Sequence, residues 1–116
     1  MKCIFCSIVA GKAPATVVRS WPDVIAIRPL NPVTAGHLLV IPHRHVADVG
    51  EAPDVSGYTM AAAADLTAEL RAANIITRKG VAATQTQFHL HLHVVPRAEG
   101  DALLLPWTPM QVGNSC

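Results

Sequence analysis

The chain has 116 residues, of which 51% are apolar and 15% charged, and its formal net charge is +1. That length suits one domain with a true core, and that composition suits a compact protein, not a disordered one. A balance so near neutrality offers no general field for nucleic acid or a membrane surface, so any anion site must be local.

No apolar run reaches the roughly 18 residues of a membrane span. The opening, MKCIFCSIVAGKAPA, has a short apolar stretch containing two cysteines. It is expected to belong to the fold and not to a secretory leader, which makes the chain cytoplasmic. Three cysteines are an odd number for a disulfide framework. Cys3 and Cys6 are spaced C-x-x-C, which in a reducing compartment reads as metal or redox chemistry, whereas Cys116 has no pattern around it.

CIFCSIVAG reads as a short turn or helix closed by Gly11. Val17 to Ser20 reads as a short strand, and WPDVIAI opens with a turn and runs into another. RPLNPVTAG, with two prolines and a glycine, is a loop. HLLVIP (His37 to Pro42) is apolar nearly throughout and stopped by proline, the pattern of a buried strand. From Asp54 to Ala72 the period changes: Val55, Tyr58, Ala62, Leu66 and Leu70 recur at three and four, predicting an alanine-rich amphipathic helix. NIITRKG is a strand ending in a glycine turn, VAATQT a loop, and Gln87 to Val95 the last strong strand. LLLPWTPM is apolar but broken by prolines, so residues 98–116 are expected to form an irregular tail. Short connections between neighbouring strands predict an antiparallel α+β domain of about five strands and one long helix.

Half of the six histidines fall within five positions, in QFHLHLHVVPR. On a strand His89, His91 and His93 share one face, while Phe88, Leu90, Leu92 and Val94 share the other. Four readings fit that row. It could be an exposed strand face, or a three-histidine metal site, although three rings in line span too far for one ion. It could be a nucleophilic and acid–base array acting on phosphate, since a neutral imidazole nitrogen is a competent nucleophile near neutrality. Or it could be a mixture, with the end histidine taken by a structural metal.

HLHLHVV, together with CIFCSIVAGKAPA, DVIAI, NPVTAGHLLVIPHRHV and HVVPR, resembles the histidine triad (HIT) family in its bacterial zinc-bearing form. The resemblance covers residues 3 to 97 in order. It implies an antiparallel sheet with a long helix, a homodimer, and a nucleotide hydrolase or nucleotidyl transferase working through a nucleotidyl-histidine. Small-molecule nucleotides, not nucleic acid or membrane, would be the partners. His91 would be the nucleophile, His93 would contact the phosphate or leaving group, and His37 would support them from the adjacent strand. Thr86 would meet the phosphate, and Gln85, in the family's usual glutamine position beside it, would belong to the substrate-binding set. A structural zinc would be held by Cys3, Cys6, His45 and His89, with His43 a nearby competitor for His45. The alternative is a zinc-stabilised nucleotide-binding or regulatory protein with little turnover.

Three positions depart from the family pattern. Pro29 stands where many members place a ribose-binding acid or amide, with Arg28 and Asn31 beside it to compensate. Arg78 replaces a common Asn or Gln and offers phosphate a guanidinium. Thr84 replaces a common glycine.

Overall fold

A computed structural model describes residues 3–106, so Trp107 and Cys116 lie outside the described residues. The chain opens with α1 (Ile4–Val9), then β1 (Val17–Trp21) and β2 (Val24–Ile27). β3 (Leu38–Pro42), α2 (Pro53–Thr67), β4 (Ala73–Ile76) and β5 (Leu92–Pro96) follow, with one 3-10 turn at Val81–Ala83 before β5. Among the described residues five strands form one sheet in the order β1-β2-β3-β5-β4, and every neighbouring pair is antiparallel. This is the expected α+β architecture. The chain leaves β3 through α2, lays β4 on the far edge and returns β5 between them.

Pro22 and Asp23 close a two-residue hairpin, since Trp21 already pairs with Val24. Gly36 turns the chain into β3 at φ 85°, and a Cβ there would meet Pro96 Cγ at 3.3 Å, so glycine serves both conformation and packing. Pro53 starts α2 and Asp54 sits in its first turn, both favourable at a helix N-terminus. α2 ends at Thr67, five residues short of the expected Ala72. Glu69 N–H and Leu70 N–H turn back onto Leu66 and Thr67 carbonyls, tightening the chain towards β4. Leu70 therefore leaves the apolar stripe and is exposed, while Thr59 and Ala63 complete the buried face.

The sheet carries a core on each side. Val24, Ala26, Val40, Leu90, Leu92 and Val94 pack with Val55, Ala62, Ala63 and Leu66 of α2. Ile25, Ile27, Leu39 and Ile41 pack on the other side with Phe5 of α1. Among the described residues no helix is long and apolar enough to cross a membrane.

Candidate active site and metal centre

The histidine row is only partly a ladder strand. Pairing of β5 begins at Leu92, and the residues before it are tied down singly, as by Leu90 N–H to Val46 O at 2.7 Å. The alternation holds for Leu90, Leu92 and Val94, which are 1% exposed in the α2-side core. It fails for Phe88, which is exposed because it precedes the part of the segment packed under α2. The opposite face is covered as well. Phe5 of α1 sets its ring edge-on against His89 and His91, at centroid distances of 5.8 and 4.9 Å. His89 is fully buried and His91 nearly so, which excludes an exposed, decorated strand face.

His89 donates from Nε2 to the Pro42 carbonyl at 2.9 Å; a carbonyl only accepts, so that nitrogen carries the proton. Its Nδ1 therefore presents a lone pair, and three other donors converge on it. Cys3 Sγ lies 3.3 Å away, Cys6 Sγ 3.5 Å and His45 Nδ1 3.1 Å, and Cys6 Sγ stands 3.3 Å from His45 Nδ1. One lone pair cannot satisfy three hydrogen bonds, but all four atoms fall within 4.8 Å of one another, as ligands of a common ion do. A tetrahedral zinc, with bonds of about 2.3 Å to sulfur and 2.0 Å to nitrogen, implies donor–donor edges of roughly 3.3–3.8 Å, close to this set. The C-x-x-C spacing works because Cys3 caps α1, accepting from Cys6 N–H at 3.3 Å and leaving both sulfurs on one side of the first turn. Burial, and Cys3 beside it, push the Cys6 thiol above its ordinary value, a cost that a bound cation reverses. His43 is exposed and does not join the group.

His91 has the opposite arrangement. Its Nδ1 donates to the His89 carbonyl at 2.8 Å, so Nε2 keeps the lone pair. Thr77 Oγ also bonds the His91 carbonyl, at 3.0 Å, holding the residue from β4's side. A chain of bonds fixes the other two rings. Val33 N–H donates to His37 Nδ1 at 3.1 Å, which leaves the His37 proton on Nε2. That nitrogen reaches His93 Nδ1 at 3.0 Å, so neutral His93 carries its own proton on Nε2. Burial lowers the pKa of all three rings. His93 falls to about 4, through burial first and then His91, His37 and Arg78.

His37 and His93 line a cleft of about 320 Å³ with Arg78. Leu39, Ile76 and Val95 add apolar lining, and Pro29, Asn31 and Val33 complete it. Of the expected substrate contacts, Asn31 and Arg78 therefore reach the cleft. Arg28 and Thr86 are exposed and are not among its lining; nor is the buried His91, whose ring lies 5.2 Å from that of His93. Gln85 is 4% exposed and its amide is fully committed to backbone. It accepts from Gly80 N–H at 2.8 Å and donates to Ala47 O at 2.7 Å and Gln87 O at 3.0 Å, so it braces two loops and leaves no group for phosphate. Phe5, Val33 and Pro42 were not anticipated, since two of them act through backbone groups that every residue possesses.

Residues 10–100 match the profile of the HIT domain. The chain belongs to the histidine triad family. An uncharacterised HIT-like protein of Mycobacterium tuberculosis is 41% identical over 110 residues, covering 89% of this chain and 76% of that protein. A zinc-bound histidine triad family protein from Mycobacterium smegmatis superposes with a TM-score of 0.83 at 38% identity, over 90% of this chain and 81% of the other. An adenylylsulfatase of Arabidopsis thaliana is 32% identical over 108 residues, 87% of this chain and 55% of that protein. The family resemblance of the sequence therefore holds at the level of both chain and fold.

Proposed function

We propose that this histidine triad protein is a nucleotide hydrolase or nucleotidyl transferase acting at the α-phosphorus through His91. The observation that carries it is the 2.8 Å bond from His91 Nδ1 to the His89 carbonyl, which leaves Nε2 unprotonated on a ring 5.2 Å from that of His93, a residue lining the cleft. Nε2 attacks phosphorus, the bond to the leaving group breaks, and the imidazole carries the nucleotidyl group with its Nδ1 proton still on the carbonyl. Water or another acceptor then attacks phosphorus, and the P–N electron pair returns to Nε2. His93, neutral with its proton on Nε2, would donate to a phosphate oxygen. His37 is its positioning partner. Dinucleoside polyphosphates and nucleoside phosphoramidates are the substrate classes in view, and the Arabidopsis relative's name supports chemistry at such a phosphorus.

Zinc belongs to the same proposal. Cys3, Cys6, His45 and His89 would fill its four positions, so the ion would tie α1 to the histidine row without touching substrate. The M. smegmatis relative supports the choice of metal. A homodimer is the family expectation, and β4 is an edge strand of the sheet among the described residues, the kind of edge a second strand can pair with.

The test is single-turnover reaction with an α-labelled nucleotide, quenched in alkali, in which phosphohistidine bonds survive. A labelled protein adduct is expected in the wild type and absent in His91→Asn. Nucleotide binding with no turnover in the wild type would instead favour the regulatory reading.

A further inference from the structure

Arg78 and Thr84, two of the departures from the family pattern, touch each other. Arg78 Nη1 donates to Thr84 Oγ1 at 3.2 Å, and that hydroxyl passes its own proton to the Ala83 carbonyl. The hydroxyl is thus oriented with its lone pair towards the guanidinium. Thr84 makes this contact from the left-handed region, at φ 68°, which a β-branched residue rarely occupies. A strained threonine where a glycine is easier marks the hydroxyl as the useful part.

The strand register explains where Arg78 points. Ile75 pairs with Val94 and Ile76 with His93. Continued two residues beyond the ladder, which ends at Ile76 and His93, the same register would set Arg78 opposite His91. The bond from Thr77 Oγ to the His91 carbonyl shows that the two segments still run side by side there. Arg78 lines the cleft with His37 and His93, and among the described residues no carboxylate lines it. The ion pairs among the described residues are Arg19–Glu69, Arg44–Asp54 and Arg97–Asp101, so Arg78 has no acidic partner. Its fork of five donors uses one on Thr84 and keeps the others for an anion.

We propose that Arg78, positioned by Thr84, binds an anionic leaving group, which makes nucleotidyl anhydrides the preferred substrates of this site over phosphoramidates of neutral amines. This rests on the reading of His91 as nucleophile. In an anhydride the bridging oxygen departs with the electron pair as sulfate or phosphate, and no proton is needed. Arg78 meets the charge as it develops. Water then cleaves the His91–phosphorus bond and releases one proton to solvent, so one water is consumed per turnover. An amine leaving group instead requires a proton at the moment of cleavage. His93, held neutral mainly by burial, supplies one poorly near pH 7.

The experiment compares kcat/KM for adenosine 5′-phosphosulfate, diadenosine triphosphate and an adenosine phosphoramidate in wild type, Arg78→Gln, Thr84→Gly and Thr84→Ser. The anhydride-to-phosphoramidate ratio is expected to fall about 10-fold or more in Arg78→Gln, the scale of a lost charged hydrogen bond. A smaller fall is expected in Thr84→Gly, with recovery in Thr84→Ser. Whether sulfate or phosphate shows the larger fall tells which oxyanion the site was shaped for. Equilibrium affinities give a readout that needs no turnover. ADP is expected to bind several-fold tighter than AMP in the wild type, with that preference lost in Arg78→Gln. An unchanged substrate ratio together with an unchanged ADP-to-AMP ratio overturns the proposal. If no substrate turns over in the wild type, the nucleophile reading fails by itself, and the ADP-to-AMP ratio decides the role of Arg78. Zinc content and melting temperature of each variant verify that the fold is intact.

Discussion

His89 and His91 stand two residues apart on one face of one segment, yet they are wired in opposite senses. His89 spends Nε2–H on the Pro42 carbonyl and turns the Nδ1 lone pair to Cys3, Cys6 and His45. His91 spends Nδ1–H on the His89 carbonyl and leaves Nε2 bare. Under the proposed function the same side chain would serve as metal donor at one position and as nucleophile at the next, because a backbone oxygen sets which nitrogen carries the proton. Residue type permits both roles, and the carbonyl assigns them.

The largest effect that would test this division is at the metal end. Structural zinc in small domains is worth about 10 kcal/mol or more of folding free energy at neutral pH. Cys3→Ser with Cys6→Ser is expected to lose the metal, about one ion per chain, and to lower the melting temperature by more than 10 °C. Elemental analysis and thermal unfolding read both; full metal retention would remove His89 from its assigned role. At the reacting end His91→Ala is expected to cut turnover about 10⁴-fold, some 5 kcal/mol of transition-state stabilisation. Its zinc content should stay at the wild-type value. If zinc and turnover fall together in both variants, the two histidines are not separable.

Acid should strain the reacting end through His93. Its folded pKa, about 4, lies below the unfolded value near 6.5. Between those values the unfolded chain binds the extra proton, so stability falls as pH drops from 6.5 towards 4. The full window is worth roughly 3 kcal/mol at most, less solvent screening. Denaturant titrations of wild type and His93→Asn across that range should differ in slope, the variant being flatter. Equal slopes would remove His93 as a source of the acid sensitivity.

The smallest effect concerns the joint between the two ends. Gln85 bonds Ala47, next to the loop that carries His45, and Gly80, in the turn that follows Arg78. Gln85→Leu is expected to cost about 2 kcal/mol, since buried backbone groups lose their partners. Nucleotide affinity should change little beyond what stability explains. A large selective loss of nucleotide affinity at unchanged stability would return Gln85 to the substrate-binding set.

Much of this protein was legible along the chain. The period-2 row at His89–His93, the apolar run of β3 and the three-four stripe of α2 are local patterns, and local sterics and solvent exposure read them directly. The C-x-x-C at Cys3 is likewise local, because one helical turn brings the two sulfurs together. α2 read too long at its C-terminus because alanine-rich sequence continues to favour helix where the chain must turn for β4. Phe88 is expected to share the face of Leu90, Leu92 and Val94, yet it is exposed, since alternation extends past the part of the segment packed in the core with α2.

What the sequence by itself determined was a set of elements and a set of candidate chemical groups. The tertiary structure decided which nitrogen of each imidazole is free, that Gln85 serves the backbone, and that Thr84 holds Arg78 in the cleft. The metal quartet joins positions 3, 6, 45 and 89, and His37 reaches His93 across 56 residues. Those decisions rest on carbonyls and amides that every residue carries alike, so no side-chain pattern announces them until the fold brings the partners within 3 Å or so of each other.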